Sequence, residues 1–141
     1  MKNIVARLAQ TVSNSVSVHN RQRVRTVDTR FLRGVTKWLL SGALQVQKFQ
    51  LTVCVVGTEE MTHLNETFLK HKGSTDVLAF DYSENAEPAS VLGEICVCVD
   101  EAVIQSARFR TDWRSELVRY VVHGTLHLVA SGHQRCDASH H

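Results

Sequence analysis

The chain has 141 residues, of which 43% are hydrophobic and 21% charged, and this composition predicts one ordinary globular domain over residues 1–141. No apolar run approaches the roughly 20 residues that span a bilayer, so a transmembrane protein is excluded and we expect no membrane partner. The net charge of +2 conceals an asymmetry, since residues 1–40 contain eight basic residues and only one acid, Asp28. Such a basic segment favours a polyanionic partner, usually nucleic acid.

The first half of the chain alternates strand and helix patterns. A short strand at Val16–Val18 precedes Arg21, Arg23 and Arg25, which would share one face of an extended strand. That face would either bind a polyanion or be a solvated, charge-protected edge. The pattern then predicts three further elements: a helix over Asp28–Leu44 with Asp28 as N-cap, a strand over Phe49–Val56, and a helix that Thr58 caps and that ends near Leu69.

The second half of the chain adds two strands and two helices. The predicted elements are a strand at Val77–Tyr82, an exposed loop at 83–90, a strand at Leu92–Val99, a helix at Asp100–Arg110, and a last helix from the cap Asp112 to about Ala130. The order β-α-β-α-β-β-α-α implies an α/β (α+β) fold with a mixed four-stranded sheet covered by helices. The last helix is apolar nearly all round, so we expect it to be buried and its histidines to face a pocket.

The four cysteines form no paired C-x-x-C motif. No secretory signal is evident, so we expect reduced thiols and a cytoplasmic protein, although the acid-free start also fits an organelle targeting segment. Cys54, Cys96 and Cys98 lie in strand-like runs and are predicted core residues. Cys136 is either inert or an additional metal ligand.

Three histidines in the stretch HGTLHLVASGH have H-x3-H-x5-H spacing. His123 and His127 lie about 6 Å apart along one face of a helix and can bind one metal ion. His133 can join them only if the chain turns first, and Ser131–Gly132 is the predicted stop, because glycine adopts the left-handed conformation that ends helices. Three protein nitrogens leave one tetrahedral position open, as in a catalytic zinc site. The alternative is that the histidines are ordinary core residues.

A zinc peptidase is one class with such a site, but its H-E-x-x-H motif requires a glutamate general base beside the first histidine. Gly124 occupies that position here. The missing carboxylate argues against a peptidase, whereas a metal alone can still activate water. Gly124 also removes bulk beside the first histidine, which lets a backbone segment or a substrate approach.

Three motifs together resemble one family. HGTLHLVASGH resembles the H-G-x-L-H-L-x-G-x-x-H signature of the YbeY family, which comprises metal-dependent endoribonucleases of ribosomal RNA maturation and ribosome quality control. The segment Leu64–Phe80 resembles the L-N-x-x-Y-R and P-T-D-V-L-S-F motifs of that family, and Leu92–Ile95 resembles its L-G-D-I strand. Asn20-Arg21-Gln22 matches a common family start. The resemblance covers roughly residues 15 to 135.

The resemblance implies a site and partners. His123, His127 and His133 would bind one Zn²⁺ or another divalent transition metal. Thr75 and Asp76 would line the cleft, and Asp76 would orient a ligand histidine; the alternative for both is a local cap at the start of a strand. Asn65 would hold this loop, unless it is an ordinary exposed helix residue. The implied partners are single-stranded or ribosomal RNA and the ribosome or its small-subunit proteins.

The chain departs from the family pattern at several positions. Leu69 stands where the family has an arginine, so Lys70, His71 or Lys72 would have to supply the charge, without a guanidinium's bidentate geometry. Ser74 and Ala130 replace a proline and a glycine. The sequence ends eight residues after His133, which suggests a truncated or minimal copy, and His140 and His141 could contact metal adventitiously.

Three functions follow as hypotheses. The first is a metal-dependent, single-strand endoribonuclease in which Lys70 or His71 partly replaces the arginine. The second is a zinc-containing RNA- or ribosome-binding factor with weak or no activity, which Leu69 favours. The third is a zinc peptidase or other hydrolase.

Overall fold

A computed structural model describes residues 14–83 and 89–139 of the chain, with side chains up to Gly132. The elements are β1 (Ser15–Asn20), α1 (Thr29–Lys37) with a π-helical continuation (Trp38–Ala43), β2 (Phe49–Val56), α2 (Thr58–Phe68), β3 (Val77–Asp81), β4 (Val91–Cys98), α3 (Val99–Phe109) and α4 (Trp113–Ser139). The predicted order of elements is confirmed; the bounds of the last three strands agree to within one residue, whereas β1 extends two residues beyond the predicted end at Val18.

The four strands form one mixed sheet in the order β1-β2-β4-β3. β1 pairs with β2 and β2 with β4 in parallel, whereas β3 pairs with β4 antiparallel. The parallel pairs are joined through α1 and through α2 with β3, as crossover geometry requires, and β3 turns back directly into β4. The α/β (α+β) class with a mixed four-stranded sheet is therefore confirmed.

The two faces of the sheet bury different side chains because successive residues of a strand point to opposite sides. One face carries the larger core, in which Val53, Ile95 and Val97 pack with residues of α1, α3 and α4. The other face carries a smaller cluster in which Cys54, Cys96 and Cys98 pack with residues of α2. The three cysteines are buried free thiols, as predicted.

Two aspartate side chains accept hydrogen bonds from residues in the first turn of a helix. The Asp28 side chain accepts a hydrogen bond from Phe31 N at 3.0 Å, which confirms the predicted N-cap of α1. The predicted cap of α2 was wrong, since Gly57 is the N-cap and Thr58 is the first helical residue. The Asp100 carboxylate at the start of α3 accepts from both Thr58 N (2.8 Å) and Thr58 Oγ1 (3.0 Å), so α3 caps α2 from outside.

The arginine-rich segment after β1 is not an extended strand, and this prediction was wrong. The Gln22 side chain folds the segment, because its Oε1 accepts from the backbone N–H groups of Val24 and Arg25 while its Nε2 donates to Arg25 O and to Asn20 Oδ1. Arg21 ion-pairs with Glu60 at 2.8 Å. Arg25 lies 5.6 Å over the Trp113 ring. Two of the three arginines are thus engaged with different elements.

Helix α4 does not stop at Ser131–Gly132 but continues to Ser139, so the predicted turn was wrong. Gly132 instead allows another segment of the chain to pack closely against the helix. A Cβ on Gly132 would lie 3.2 Å from Ser90 O, so the absence of a side chain lets the backbone before β4 approach the helix. Glycine in this position allows close packing and leaves the helix intact.

Within the described part of the chain, no helix combines the length and apolarity needed to cross a bilayer.

Candidate active site

A loop at 69–76 connects α2 to β3, and Asn65 holds it. Asn65 is 5% exposed, and its side chain donates through Nδ2 to Gly73 O at 2.9 Å, while its backbone carbonyl accepts from the backbone N–H groups of Leu69 and His71. Asn65 is therefore a buried anchor of the loop and not an ordinary exposed helix residue.

Thr75 and Asp76 are half-buried at the start of β3. Asp76 Oδ1 accepts from Val77 N at 2.8 Å and lies 3.4 Å from Thr75 Oγ1. The backbone carbonyl of Asp76 accepts from Cys98 N at 2.9 Å, which fixes this point to the end of β4. The strand-start cap is thus present, and it holds the carboxyl group at a defined position beside the sheet.

Helix α4 approaches the same strand through Gly124. A Cβ on Gly124 would lie 2.8 Å from Ile95 Cγ2 and 3.1 Å from Val77 Cγ2, so only a glycine lets the helix lie this close to β3 and β4. From the sequence, the space beside Gly124 was expected to admit a backbone segment or a substrate. The side chains of Ile95 and Val77 fill this space instead. This packing brings the stretch around His123 beside the residue that follows Asp76.

His123 and His127 lie one helical turn apart, and both are exposed. The expectation that they would face a pocket walled by the fold was wrong. The buried face of this part of α4 is formed by Gly124, Thr125 and Leu128 instead. A groove of about 520 Å³ does border α4, but it lies at the beginning of the helix, between Trp113 and the start of α1.

The exposed histidine pair suits a divalent metal in the chemistry and spacing of its donors. The side chain of His133 lies outside the described residues, as do those of Cys136, His140 and His141. On the continuous helix, the backbone at residue 133 lies about 9 Å beyond His127 along the axis. Two of the three predicted ligands are therefore adjacent, and the three-histidine set stays a prediction.

Tyr120 is a residue that the sequence did not single out. Its ring is 2% exposed, and its hydroxyl has no hydrogen-bond partner among the described residues. Burial first, and then the negative charges of Asp76, Glu116 and Glu101, raise the pKa of Tyr120 to about 12. The Tyr120 hydroxyl therefore lies close enough to Asp76 for the charge of that carboxylate to act on it, and Tyr120 precedes His123 by about one helical turn. This proximity depends on the packing of α4 beside the loop at 69–76, which local sequence patterns do not show.

The residues predicted to supply the charge that Leu69 lacks are all at the surface. Lys70, His71 and Lys72 are exposed after the end of α2, as is Leu69 itself, and Lys70 adopts a left-handed backbone conformation with φ of 60°. This turn directs the chain away from the helix immediately after Leu69. The loop therefore presents two ammonium groups and one imidazole close to the Asn65 anchor.

The arrangement of a mixed four-stranded sheet, a loop anchored at a strand start and a long helix with paired histidines defines an α/β protein with a candidate metal-dependent site. Residues 17–140 match the family model described as endoribonuclease YbeY, and the chain belongs to this family. Proteins named endoribonuclease YbeY include one from Aquifex aeolicus, 30% identical over 103 residues, and one from Salinibacter ruber, 32% identical over 120 residues.

These relatives are covered to different extents. The alignments take in 72% of this chain and 69% of the Aquifex aeolicus protein, and 81% of this chain and 76% of the Salinibacter ruber protein. A Legionella pneumophila relative of the same name is 36% identical over 90 residues, which are 62% of this chain and 57% of that protein. The solution structure of TM1509 from Thermotoga maritima is 24% identical, covers 81% of this chain and 71% of its own, and has a TM-score of 0.58. This last likeness concerns the fold.

Proposed function

We propose that this protein is a metal-dependent endoribonuclease that cleaves single-stranded RNA in ribosomal RNA maturation and ribosome quality control. The observation that carries the proposal is the histidine pair of α4 beside the Thr75–Asp76 strand start, in a chain of the YbeY family. The proposed partners are ribosomal RNA and the ribosome or its small-subunit proteins. The free thiols of Cys54, Cys96 and Cys98 support a reducing, cytoplasmic location.

The proposed metal ligands are His123, His127 and His133, with zinc as the first choice because imidazole nitrogens suit it. Since residue 133 lies about 9 Å beyond His127 on the continuous helix, binding by His133 requires the end of α4 to turn back when the metal binds. A cation held there supplies polarisation of a phosphodiester and activation of water near neutral pH. Asp76, which the backbone of Val77 and Cys98 fixes in place, orients a ligand histidine or the attacking water. Thr75, half-buried beside Asp76, would contact the substrate.

The remaining charge stabilisation falls to the loop. A phosphodiester develops negative charge in its transition state, and fixed cations near it lower the barrier. Lys70 and His71 are exposed near this strand start and can contact the phosphate. Since an ammonium lacks the bidentate geometry of a guanidinium, we expect slower cleavage than an arginine at position 69 would allow.

The test compares His123→Ala with the matched control His63→Ala, which alters an exposed histidine of α2. We expect His123→Ala to lose one metal ion per chain and RNA cleavage, while His63→Ala keeps both. Metal is measured by mass spectrometry on purified protein and cleavage on a single-stranded RNA. Equal cleavage by the two variants would reject the proposal and indicate a contaminating nuclease.

Leu69 favours the second function, a zinc-containing RNA- or ribosome-binding factor with weak or no activity. Leucine cannot neutralise a phosphate, and its side chain is 44% exposed where the family has a charged group. We expect Leu69→Arg to raise the cleavage rate by about 10-fold or more, because it adds one transition-state donor. Leu69→Lys is the matched control for charge alone. If neither variant cleaves RNA while salt-dependent binding persists, the binding factor is the correct function.

A further inference from the structure

Two cysteines and one glutamate converge on the sheet face that α2 covers. Cys54 of β2 and Cys96 of β4 are register partners on neighbouring strands, and Glu94 lies two residues before Cys96 on the same face. Their Sγ and carboxylate oxygen atoms all lie within 4.8 Å of one another. Helix α4 packs on the other face, against Ile95, so this cluster is separated from the histidine pair by the thickness of the sheet.

The distances suit a tetrahedral ion. Cys54 Sγ lies 3.0 Å and Cys96 Sγ 4.0 Å from the same oxygen, Glu94 Oε1. Sulfur atoms that each bind a tetrahedral zinc at about 2.3 Å are about 3.8 Å apart, and a carboxylate oxygen in the same shell lies slightly closer. The two sulfur–oxygen distances each differ from this spacing by about 0.5 Å, and the two sulfur atoms lie within 4.8 Å of each other, so modest shifts of the three donor atoms would let them surround one ion.

Neighbouring groups hold Glu94 in place and balance its charge. The second carboxylate oxygen, Glu94 Oε2, accepts a hydrogen bond from Tyr82 Oη at 3.2 Å, which leaves Oε1 directed at the thiols. The guanidinium of Arg21 is close enough for its charge to interact with Cys54 and Glu94. A cluster of two thiolates and one carboxylate carries three negative charges; a divalent cation neutralises two of them, and Arg21, which also pairs with Glu60, acts on the remaining charge from nearby.

We propose that Cys54, Cys96 and Glu94 form a second metal site, for a thiophilic divalent cation such as Zn²⁺ or Cd²⁺. The cysteines are fully buried, whereas Glu94 is half-buried, so solvent reaches the carboxylate side and a water completes the tetrahedron. On binding, each thiol releases its proton to solvent and one metal–sulfur bond forms in its place. The site would crosslink β2 to β4, the two central strands.

Cys98 provides the internal comparison. It is as buried as Cys54 and lies on the same face, but its sulfur neighbours the Ser74 hydroxyl at 3.8 Å and is not part of the cluster. Burial alone therefore does not account for the convergence on Glu94. Cys98 is accordingly the matched control for substitution of a buried thiol on this face.

The test titrates reduced protein with Cd²⁺ and follows the ultraviolet thiolate-to-metal charge-transfer absorption. The double variant His123→Ala/His127→Ala serves as the background, which separates this site from the proposed catalytic one. We expect one strongly absorbing ion per chain in this background and in its Cys98→Ala derivative. Cys54→Ala or Cys96→Ala should lose at least half of the absorption and bind more than about 10-fold more weakly. Absorption that survives both substitutions would overturn the assignment.

A second measurement leaves both thiols in place and so does not depend on the folding of the cysteine variants. X-ray absorption at the cadmium edge in the histidine background should report two sulfur and two oxygen neighbours. A shell of light atoms alone, or a titration without charge-transfer absorption, would overturn the proposal. A disulfide between Cys54 and Cys96 on mild oxidation, without any metal binding, would also overturn it and would identify the two cysteines as a redox pair instead. Activity of the histidine site affects none of these readouts.

Discussion

Tyr120 shows at the scale of one residue what the sequence left hidden. In the sequence it is an aromatic residue in an apolar helix, and its position alone suggests a core side chain. In the structure its hydroxyl lacks a partner among the described residues and lies within electrostatic reach of Asp76. A buried unpaired hydroxyl costs stability, so Tyr120 lowers the stability of the fold relative to a phenylalanine at the same position.

Replacement of Tyr120 by phenylalanine should change stability in two ways. Near neutral pH we expect Tyr120→Phe to raise the free energy of unfolding by about 1 kcal/mol, because it removes an unsatisfied buried group. At alkaline pH the wild type should lose additional stability. The pKa of Tyr120 is about 12 in the folded state against 10.0 for the free side chain, so between these values the unfolded state releases a proton that the folded state retains.

Chemical denaturation from pH 8 to about 12 measures both effects. Only the difference between wild type and Tyr120→Phe matters, because other groups titrate in the same range. The difference should widen above pH 10. A difference that stays constant up to about pH 12 would show that the Tyr120 pKa is not raised.

Single residues of the candidate site were predictable where a local rule fixes them. Asn65, Thr75 and Asp76 were identified by motif, and their hydrogen bonds are formed within one loop and its flanking strand. The exposure of His123 and His127 was not predictable, because the helix is apolar on several sides and only the packing of Gly124 shows which side meets the sheet. Periodicity gives the width of an apolar stripe and leaves its contacts undetermined.

At the scale of elements, helix α4 depends on close packing at Gly124. We expect Gly124→Ala to destabilise the fold by about 1–2 kcal/mol, since the overpacking cost against Ile95 and Val77 exceeds the roughly 1 kcal/mol that alanine gains in helix propensity. Gly34→Ala is the matched control. Nothing lies within 4 Å of a Cβ at this exposed position of α1, so this substitution should stabilise by about 0.5–1 kcal/mol.

Thermal or denaturant unfolding of the two variants measures whether each substitution stabilises or destabilises the fold. Opposite shifts of the midpoints are expected. Stabilisation by both substitutions would mean that α4 can move away from the sheet at little cost, and that the histidine pair is not held rigidly beside β3.

Helix ends were harder to predict than helix existence. The helix end predicted at Ser131–Gly132 rested on the preference of glycine for helix C-termini. Glycine also occurs where another segment must approach a helix closely, and the sequence does not distinguish these two cases. Here the backbone of Ser90 approaches the helix at Gly132. The cap of α2 was missed for a similar reason, because Asp100 is 42 residues away from Thr58. Long-range partners are invisible to local patterns.

At the scale of the whole molecule, the sheet was predictable in type and strand number. One adjacent strand pair among alternating strands and helices requires a mixed sheet, and the four strands found fit that rule. The Cys54–Glu94 contact was not foreseen, because the order β1-β2-β4-β3 places β2 beside β4 and the alternation of strands alone does not specify this neighbour.

The order of elements also has a consequence for synthesis. All four strands precede residue 99, and α4 follows them. A ribosome that adds about 5–20 residues per second completes the sheet seconds before His127 is joined to the chain. During that interval Ile95 and Val77 have no helix over them. The face of the sheet around these two side chains can therefore be covered only after Gly124 has been synthesised.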